Sequence, residues 1–204
     1  NTIDITQLGS NDASVDIFGS GGGSDGDDNE VTITQDLFNA GGGTNSAKVE
    51  VDGDDNIIGI NQLGNNLADI KLLGSGSGES DNNLLNIDQQ DGSGGQNSIT
   101  VTIYGDDNNL SGPFTGDASI YAGSLLPGDL FQNGSSNSIT LDVGSTSGES
   151  NGNLFAFQQT GSSNTITGSM TGGDANQAVV VQVGNFNATT FAQVGSFNNL
   201  GVSQ

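Results

Sequence analysis

The chain has 204 residues, 34 of them glycine, no cysteine, histidine or tryptophan, and a formal net charge of −22 against two basic side chains, Lys48 and Lys71. Without cysteine there are no disulfides or thiolate metal sites, and without histidine the commonest general base and metal ligand are gone. So acidic a chain also repels nucleic-acid phosphate and anionic membrane.

Low hydrophobicity with high charge ordinarily means disorder, but here the apolar residues are held in strict alternation. At strand period, Asn1, Ile3, Ile5 and Gln7 share one face while Thr2, Asp4 and Thr6 take the other. After Gly9 a second strand follows, Asn11-Ala13-Val15-Ile17. The first frame, Asn-x-apolar-x-apolar-x-Gln, returns at Asn29-Val31-Ile33-Gln35, Asn56-Ile58-Ile60-Gln62 and Asn83-Leu85-Ile87-Gln89. It returns again at Asn153-Phe155-Phe157-Gln159, Asn176-Ala178-Val180-Gln182, Asn187-Thr189-Phe191-Gln193 and Asn198-Leu200-Val202-Gln204. Between these lie second strands starting at Asn45, Asn66, Asn97 and Asn137, a weaker copy Asn164-Ile166-Gly168-Met170, and Asn187 acting as the last of them.

The long interval between Asn83 and Asn153 resolves if a degenerate first strand, Leu126-Gly128-Leu130-Gln132, lies within it. The surplus residues then form an inserted loop at about 110–125, where Pro113 sits; Pro113 and Pro127 both suit a break in the array.

A repeat of two short strands and two turns means a solenoid. The expected fold is all-β: one β-solenoid domain over residues 1–204, of about seven two-strand coils plus a half coil. Its strands stack in parallel and in register about 4.8 Å apart, giving a cross-β-like amyloid core. Buried amides need partners, so each inward Asn and Gln is expected to bond its equivalent one coil away. The amide-ladder residues are Asn1, Gln7, Asn29, Gln35, Asn56, Gln62, Asn83, Gln89, Asn153, Gln159, Asn176, Gln182, Asn187, Gln193, Asn198 and Gln204. Glycine after Gln (Gly9, Gly64, Gly134, Gly161, Gly184, Gly195) supplies the positive φ that the turn demands.

Acidic residues precede several first strands: Asp25, Asp27 and Asp28; Asp52, Asp54 and Asp55; Glu79 and Asp81. Stacked carboxylates about 5 Å apart repel unless they splay, take up protons or hold a cation. Asp27, Asp28, Asp54, Asp55 and Asp81 are therefore candidate calcium ligands. The competing reading is that turns favour Asp and that acidic flanks keep solenoids apart. No cofactor is otherwise required.

Outward threonines do not form the uniform column an ice-binding face needs, and the scattered aspartates lack the aromatic platforms of a glycosidase, so no catalytic residues are expected. Leu154, Ala156, Val179, Val181, Ala188 and Ala192 make the outward positions apolar near the C-terminal end, either for lateral contact or for cover by the insertion. No apolar run is long enough for a membrane helix, and no signal-like stretch opens the sequence, as expected of a mature secreted form.

The turns Gln159-Thr-Gly161-Ser-Ser-Asn164, Gln182-Val-Gly184-Asn-Phe-Asn187 and Gln193-Val-Gly195-Ser-Phe-Asn198 resemble the curlin repeat of bacterial curli fibre subunits, which runs near Ser/Asn-x5-Gln-x-Gly-x-x-Asn-x5-Gln. The resemblance implies a secreted, extracellular functional amyloid that polymerises into biofilm matrix fibres. Its partners would be itself, with secretion and nucleator proteins. The alternative is a monomeric or calcium-dependent surface adhesin. Terminal strands that carry the repeat frame and look uncapped favour the polymer, with Asn1, Ile3, Ile5 and Gln7 of one copy meeting Asn198, Leu200, Val202 and Gln204 of another.

Overall fold

The computed structural model describes residues 1–18, 26–36, 44–73, 80–91, 94–110 and 112–204. Among them lie fifteen strands and one short helix. The first half holds β1 (Thr2–Leu8), β2 (Asp12–Ile17), β3 (Glu30–Asp36), β4 (Ser46–Val51), β5 (Ile57–Gly64), β6 (Asn66–Ala68), β7 (Leu84–Asp91) and β8 (Asn97–Ile99). After α1 (Gly116–Ala122) come β9 (Asp129–Ser135), β10 (Ser138–Val143), β11 (Leu154–Ser162), β12 (Thr165–Thr171), β13 (Gln177–Val183), β14 (Ala188–Val194) and β15 (Asn199–Ser203).

Odd-numbered strands form one sheet in the order β1-β3-β5-β7-β9-β11-β13-β15, and even-numbered strands form the other, β2 to β14. Every neighbouring pair is parallel, and like stacks on like: Ile5 on Ile33, Ile33 on Ile60, Ile60 on Ile87. This is a β-solenoid with two strands per coil, and β15 is a further half coil on β13 with no even-sheet counterpart among the described residues. The inward rows meet in a thin core in which Val31, Ile33, Ile58, Leu85 and Phe157 from one sheet face Val49, Ile70, Ile99 and Leu141 from the other, all buried.

The turns explain the sequence that flanks each strand. In the odd-numbered sheet the residue before each strand-starting Asn from Asn29 onward sits in the left-handed region, as at Asp28 (φ 54), Asp55 (φ 56), Asn82 (φ 55) and Asp107 (φ 56). Short polar side chains tolerate that conformation best. The glycine after Gln has a second reason to be glycine. A Cβ on Gly134 would strike the carbonyl oxygen of Gly161 in the next coil, and one on Gly161 would strike that of Gly184.

Gly168 accounts for the weak frame of β12. A side chain there would collide with the ring of Phe191 in the next coil, and that ring stands edge-on to Phe157 at 5.8 Å between centroids. Deleting one side chain makes room for a larger one in the neighbouring layer, which keeps the core filled.

Three expectations are corrected. The second strands at Asn66 and Asn97 are only three residues long. Positive φ at Lys71 (141), Leu72 (70) and Thr102 (86) takes the chain out of the β region. Ile70, Leu72, Val101 and Ile103 nevertheless stay fully buried in their columns.

Leu126 does not begin the degenerate first strand; it is 68 % exposed. Asn108 takes the Asn position instead, and the chain leaves the coil after Asn109 and rejoins it at Gly128, whose carbonyl accepts from Asn86. β9 then continues in register, with Leu130 and Gln132 beside Ile87 and Gln89.

The excursion itself is not a bare loop. It carries α1, which lies on the outward face of the odd-numbered sheet. Phe114, Ala118 and Ala122 cover Leu154, Ala156 and Val179, with Leu125 and Val181 packed at the margin. Of the apolar outward positions, Ala188 and Ala192 remain exposed.

Candidate assembly site

The two amides of each frame form continuous ladders. Gln7 donates from Nε2 to Oε1 of Gln35 at 2.7 Å, Gln35 to Gln62 and Gln62 to Gln89 at 2.8 Å. The series runs on through Gln132, Gln159 and Gln182 to Gln204. Gln35, Gln62, Gln132, Gln159, Gln182 and Gln204 also donate to a backbone carbonyl at the start of the preceding strand, as Gln35 does to Asp12 and Gln182 to Thr165. Both Nε2 hydrogens are thereby used, and the side chain is satisfied although Gln62, Gln132 and Gln159 are 0 % exposed.

The asparagines run the other way. Asn56 donates from its backbone N–H and from Nδ2 to Oδ1 of Asn29, and Asn83 does the same to Asn56. The ladder passes through Asn108 to Asn153, Asn176 and Asn198. Asn1 joins it through Oδ1, which accepts from the Asn29 N–H at 3.1 Å. A second asparagine ladder links Asn11, Asn45, Asn66, Asn97, Asn137 and Asn164 in the even sheet, and Asn187 closes it with a backbone N–H bond to Asn164. Each ladder therefore has a direction along the solenoid axis.

Gln193 departs from its expected role. It lies in β14, in the even sheet, where its column neighbour is Met170. Its Nε2 bonds the Gln177 carbonyl at 2.8 Å, but its buried Oε1 has no hydrogen-bond partner among the described residues.

The two ends of the described solenoid differ from its middle. β1 is exposed along its whole length, with Ile3 at 49 % and Ile5 at 40 %, while Ile33 one coil in is fully buried. The Thr2 N–H donates inward to the Asn29 carbonyl at 2.8 Å, so by strand alternation the N–H groups of Ile3 and Ile5 point to the outer edge. At the other end Leu200 and Val202 of β15 and Phe191 of β14 are only partly buried.

The acidic column is realised as a backbone ladder. Asp54 Oδ1 accepts from the Asp27 N–H at 2.6 Å, Asp81 Oδ1 from Asp54 N–H at 2.7 Å, and Asp106 Oδ1 from Asp81 N–H at 3.1 Å. Asp28 and Asp55 occupy the left-handed turn position and are exposed. Asp25 and Glu79 lie outside the described residues. Among the described residues no group of three or more acidic, histidine or cysteine side chains is arranged to hold a metal ion. Asp54, Asp81 and Asp106 each spend one oxygen on the turn beneath, the use that turn chemistry makes of such a column.

Burial raises the carboxyls of Asp106, Asp88 and Asp142 above the usual aspartate range. For Asp106 the Asp81 N–H pulls the other way, while the charges of Glu149, Asp81 and Asp107 add to the rise. Hydrogen bonds from Gln90 and Asn61 partly offset it at Asp88.

No family model, no curated protein and no solved structure matches this chain. No helix among the described residues is long and apolar enough to cross a membrane.

Proposed function

We propose that the chain is a structural subunit of an extracellular, functional-amyloid-like fibre, in which copies stack end to end and the coils of one continue into the next. The observation that carries this reading is the interchangeable coil: parallel strands stack in register with the same slots, Asn-x-apolar-x-apolar-x-Gln, from one coil to the next, so a coil of a second copy can take a neighbour's place. A flat strand edge whose inward side chains match the chain's own interior is a template for more of the same chain.

The directional ladders support it as well. Each rung donates to one neighbour and accepts from the other, so a coil from a second copy meets donors with acceptors. The resemblance of the Gln-x-Gly-x-x-Asn turns to the curlin repeat adds the setting, a secreted matrix fibre. The charge of −22 suits a filament whose flanks repel their neighbours while its ends stack.

Ile3→Pro tests the reading. It removes an N–H from the outer edge of β1 and none from the β1–β3 ladder, so the subunit should fold while elongation stops. Elongation at the wild-type rate would mean that subunits do not join through this edge.

A further inference from the structure

Phe131 interrupts the polar outward face of the odd-numbered sheet. Its column runs Thr34, Asn61, Asp88, Phe131, Gln158, Val181, so the ring stands between a carboxylate on one coil and a carboxamide on the next. It belongs neither to the core between the sheets nor to the apolar cluster under α1. The ring is half-buried all the same.

The insertion turns this position into a cleft. Where the chain returns from α1 towards β9, Leu125 walls off about 310 Å³ against the outward faces of β7, β9 and β11, lined by Asn86, Asp88, Asp129, Phe131 and Gln158. The floor is the sheet's and the wall is the insertion's. A small cleft with an aromatic floor and a few convergent polar groups has the composition of a ligand site.

Those polar groups are held in place and keep bonding capacity. Asp129 Oδ1 accepts from Asn86 Nδ2 at 3.0 Å and its Oδ2 from the Leu126 N–H at 2.8 Å. Asp88 Oδ1 accepts from Asn61 at 3.2 Å and its Oδ2 from Gln90 at 2.9 Å. Gln158 donates one Nε2 hydrogen to Thr160 at 3.3 Å. A carboxylate oxygen takes two hydrogen bonds, so each oxygen has one left, and the amides of Asn86 and Gln158 each retain a donor and an acceptor.

We infer that this cleft binds one ring of a neutral sugar. A pyranose offers a C–H face to the electron-rich face of Phe131, and hydroxyls round its rim that both donate and accept. Neighbouring strands lie about 4.8 Å apart, so Asp88 and Gln158 stand about 10 Å apart across Phe131, a span that one sugar with a hydrogen bond at each end fills. Charge sharpens the choice. Asp88 and Asp129 repel uronates and other anions, while a simple cation would leave the amide hydrogens of Asn86 and Gln158 without an acceptor. The site goes beyond the fibre proposal and does not depend on it, because it faces away from the solenoid axis and stays open whether or not copies stack.

Saturation-transfer NMR on the full chain tests it, with the methyl glycosides of glucose, galactose and mannose as probes and glucuronate and choline as controls. At least one glycoside should bind saturably in the millimolar range, with transfer to its ring C–H protons, and neither control should bind. Phe131→Ala should weaken that binding about tenfold, and Gln158→Ala should weaken it less. Phe131→Tyr, which keeps the ring, and Thr34→Ala, in the same column on a distant coil, should retain it. Gln158→Ala carries the comparison if Phe131→Ala does not fold. Binding unchanged in the folded Phe131→Ala and Gln158→Ala variants, choline binding in place of sugar, or no response from any glycoside overturns the inference. A chain that binds a glycoside yet stays monomeric overturns the fibre reading alone.

Discussion

Asn109 Oδ1 accepts the backbone N–H of Phe155 at 2.9 Å, a bond that a main-chain carbonyl makes elsewhere in the sheet. Its Nδ2 donates to the Leu84 carbonyl, also at 2.9 Å. The carboxamide therefore stands in for the peptide group that is lost where the chain departs between Asn109 and Gly128. An eighteen-residue excursion is accommodated in mid-strand without leaving a donor and an acceptor unpaired on the two flanking coils.

Asn109→Leu should strand both groups and cost about 1–3 kcal/mol for each, read as a fall in unfolding midpoint. Asn109→Asp keeps the acceptor but sets a carboxylate against the Leu84 carbonyl. Its loss should be large at neutral pH and shrink as the carboxyl protonates and regains a donor. Equal midpoints for wild type and Asn109→Leu would show that the amide is not needed there.

Gln62 and Asn61 are adjacent and carry the same functional group, yet one is fully buried between Gln35 and Gln89 and the other is exposed with a single bond to Asp88 at 3.2 Å. Gln62→Leu should cost about 1–3 kcal/mol, because two ladder neighbours lose their partner in a dry interior. Asn61→Leu should cost well under half of that. Comparable losses in guanidinium titrations of the two variants would contradict the division into inward and outward faces.

Much of this was legible because a period-two frame repeated at near-constant spacing leaves little freedom: the faces, the register, the glycine turns and the place of Gln132 at the end of a first strand all follow from it. What it hid has physical reasons. Asn108 and Gly128 belong to one strand but are separated in sequence, and no contiguous template finds a strand whose middle has been opened. Counting half coils places Gln193 in the even sheet, but its frame, that of a first strand, hides that its column neighbour is Met170 and not a glutamine. The helix in the insertion shows no helical apolar stripe long enough to announce itself, and its fit depends on Gly201, whose purpose appears only with the helix in place.

Gly201 lies on the outward face of β15, where a Cβ would collide with the Asp117 carbonyl and the Tyr121 ring. Asn199 beside it accepts from the Ala118 N–H at 2.7 Å and donates to the Thr115 carbonyl at 2.9 Å. Gly201→Val should lift α1 from the terminal strand at about 1–3 kcal/mol, the usual cost of overpacking. It should also raise binding of a hydrophobic dye as Leu154 and Val179 lose their cover. Unchanged dye binding and stability would mean that the helix does not clamp β15.

The half-buried Asp88 and Asp106 predict an unusual acid response, to which the exposed Asp142 adds little. Each holds its proton more tightly folded than unfolded, so the folded state pays a penalty at neutral pH that is relieved as pH falls through the raised values towards the ordinary aspartate value of about 3.9. Unfolding midpoints should rise from pH 7 into that window, and Asp88→Asn, which keeps an amide oxygen for Asn61, should show part of the gain already at pH 7. A monotonic loss of stability on acidification would contradict the burial assigned to these groups.

Fibre diffraction on residues 1–204, assembled at a salt concentration that screens the acidic flanks and then aligned, tests the central claim most directly. End-to-end stacking predicts a sharp meridional reflection at about 4.7–4.8 Å from strands perpendicular to the fibre axis and an equatorial one near 10 Å from the two facing sheets. Isolated particles that yield no oriented meridional reflection would contradict it.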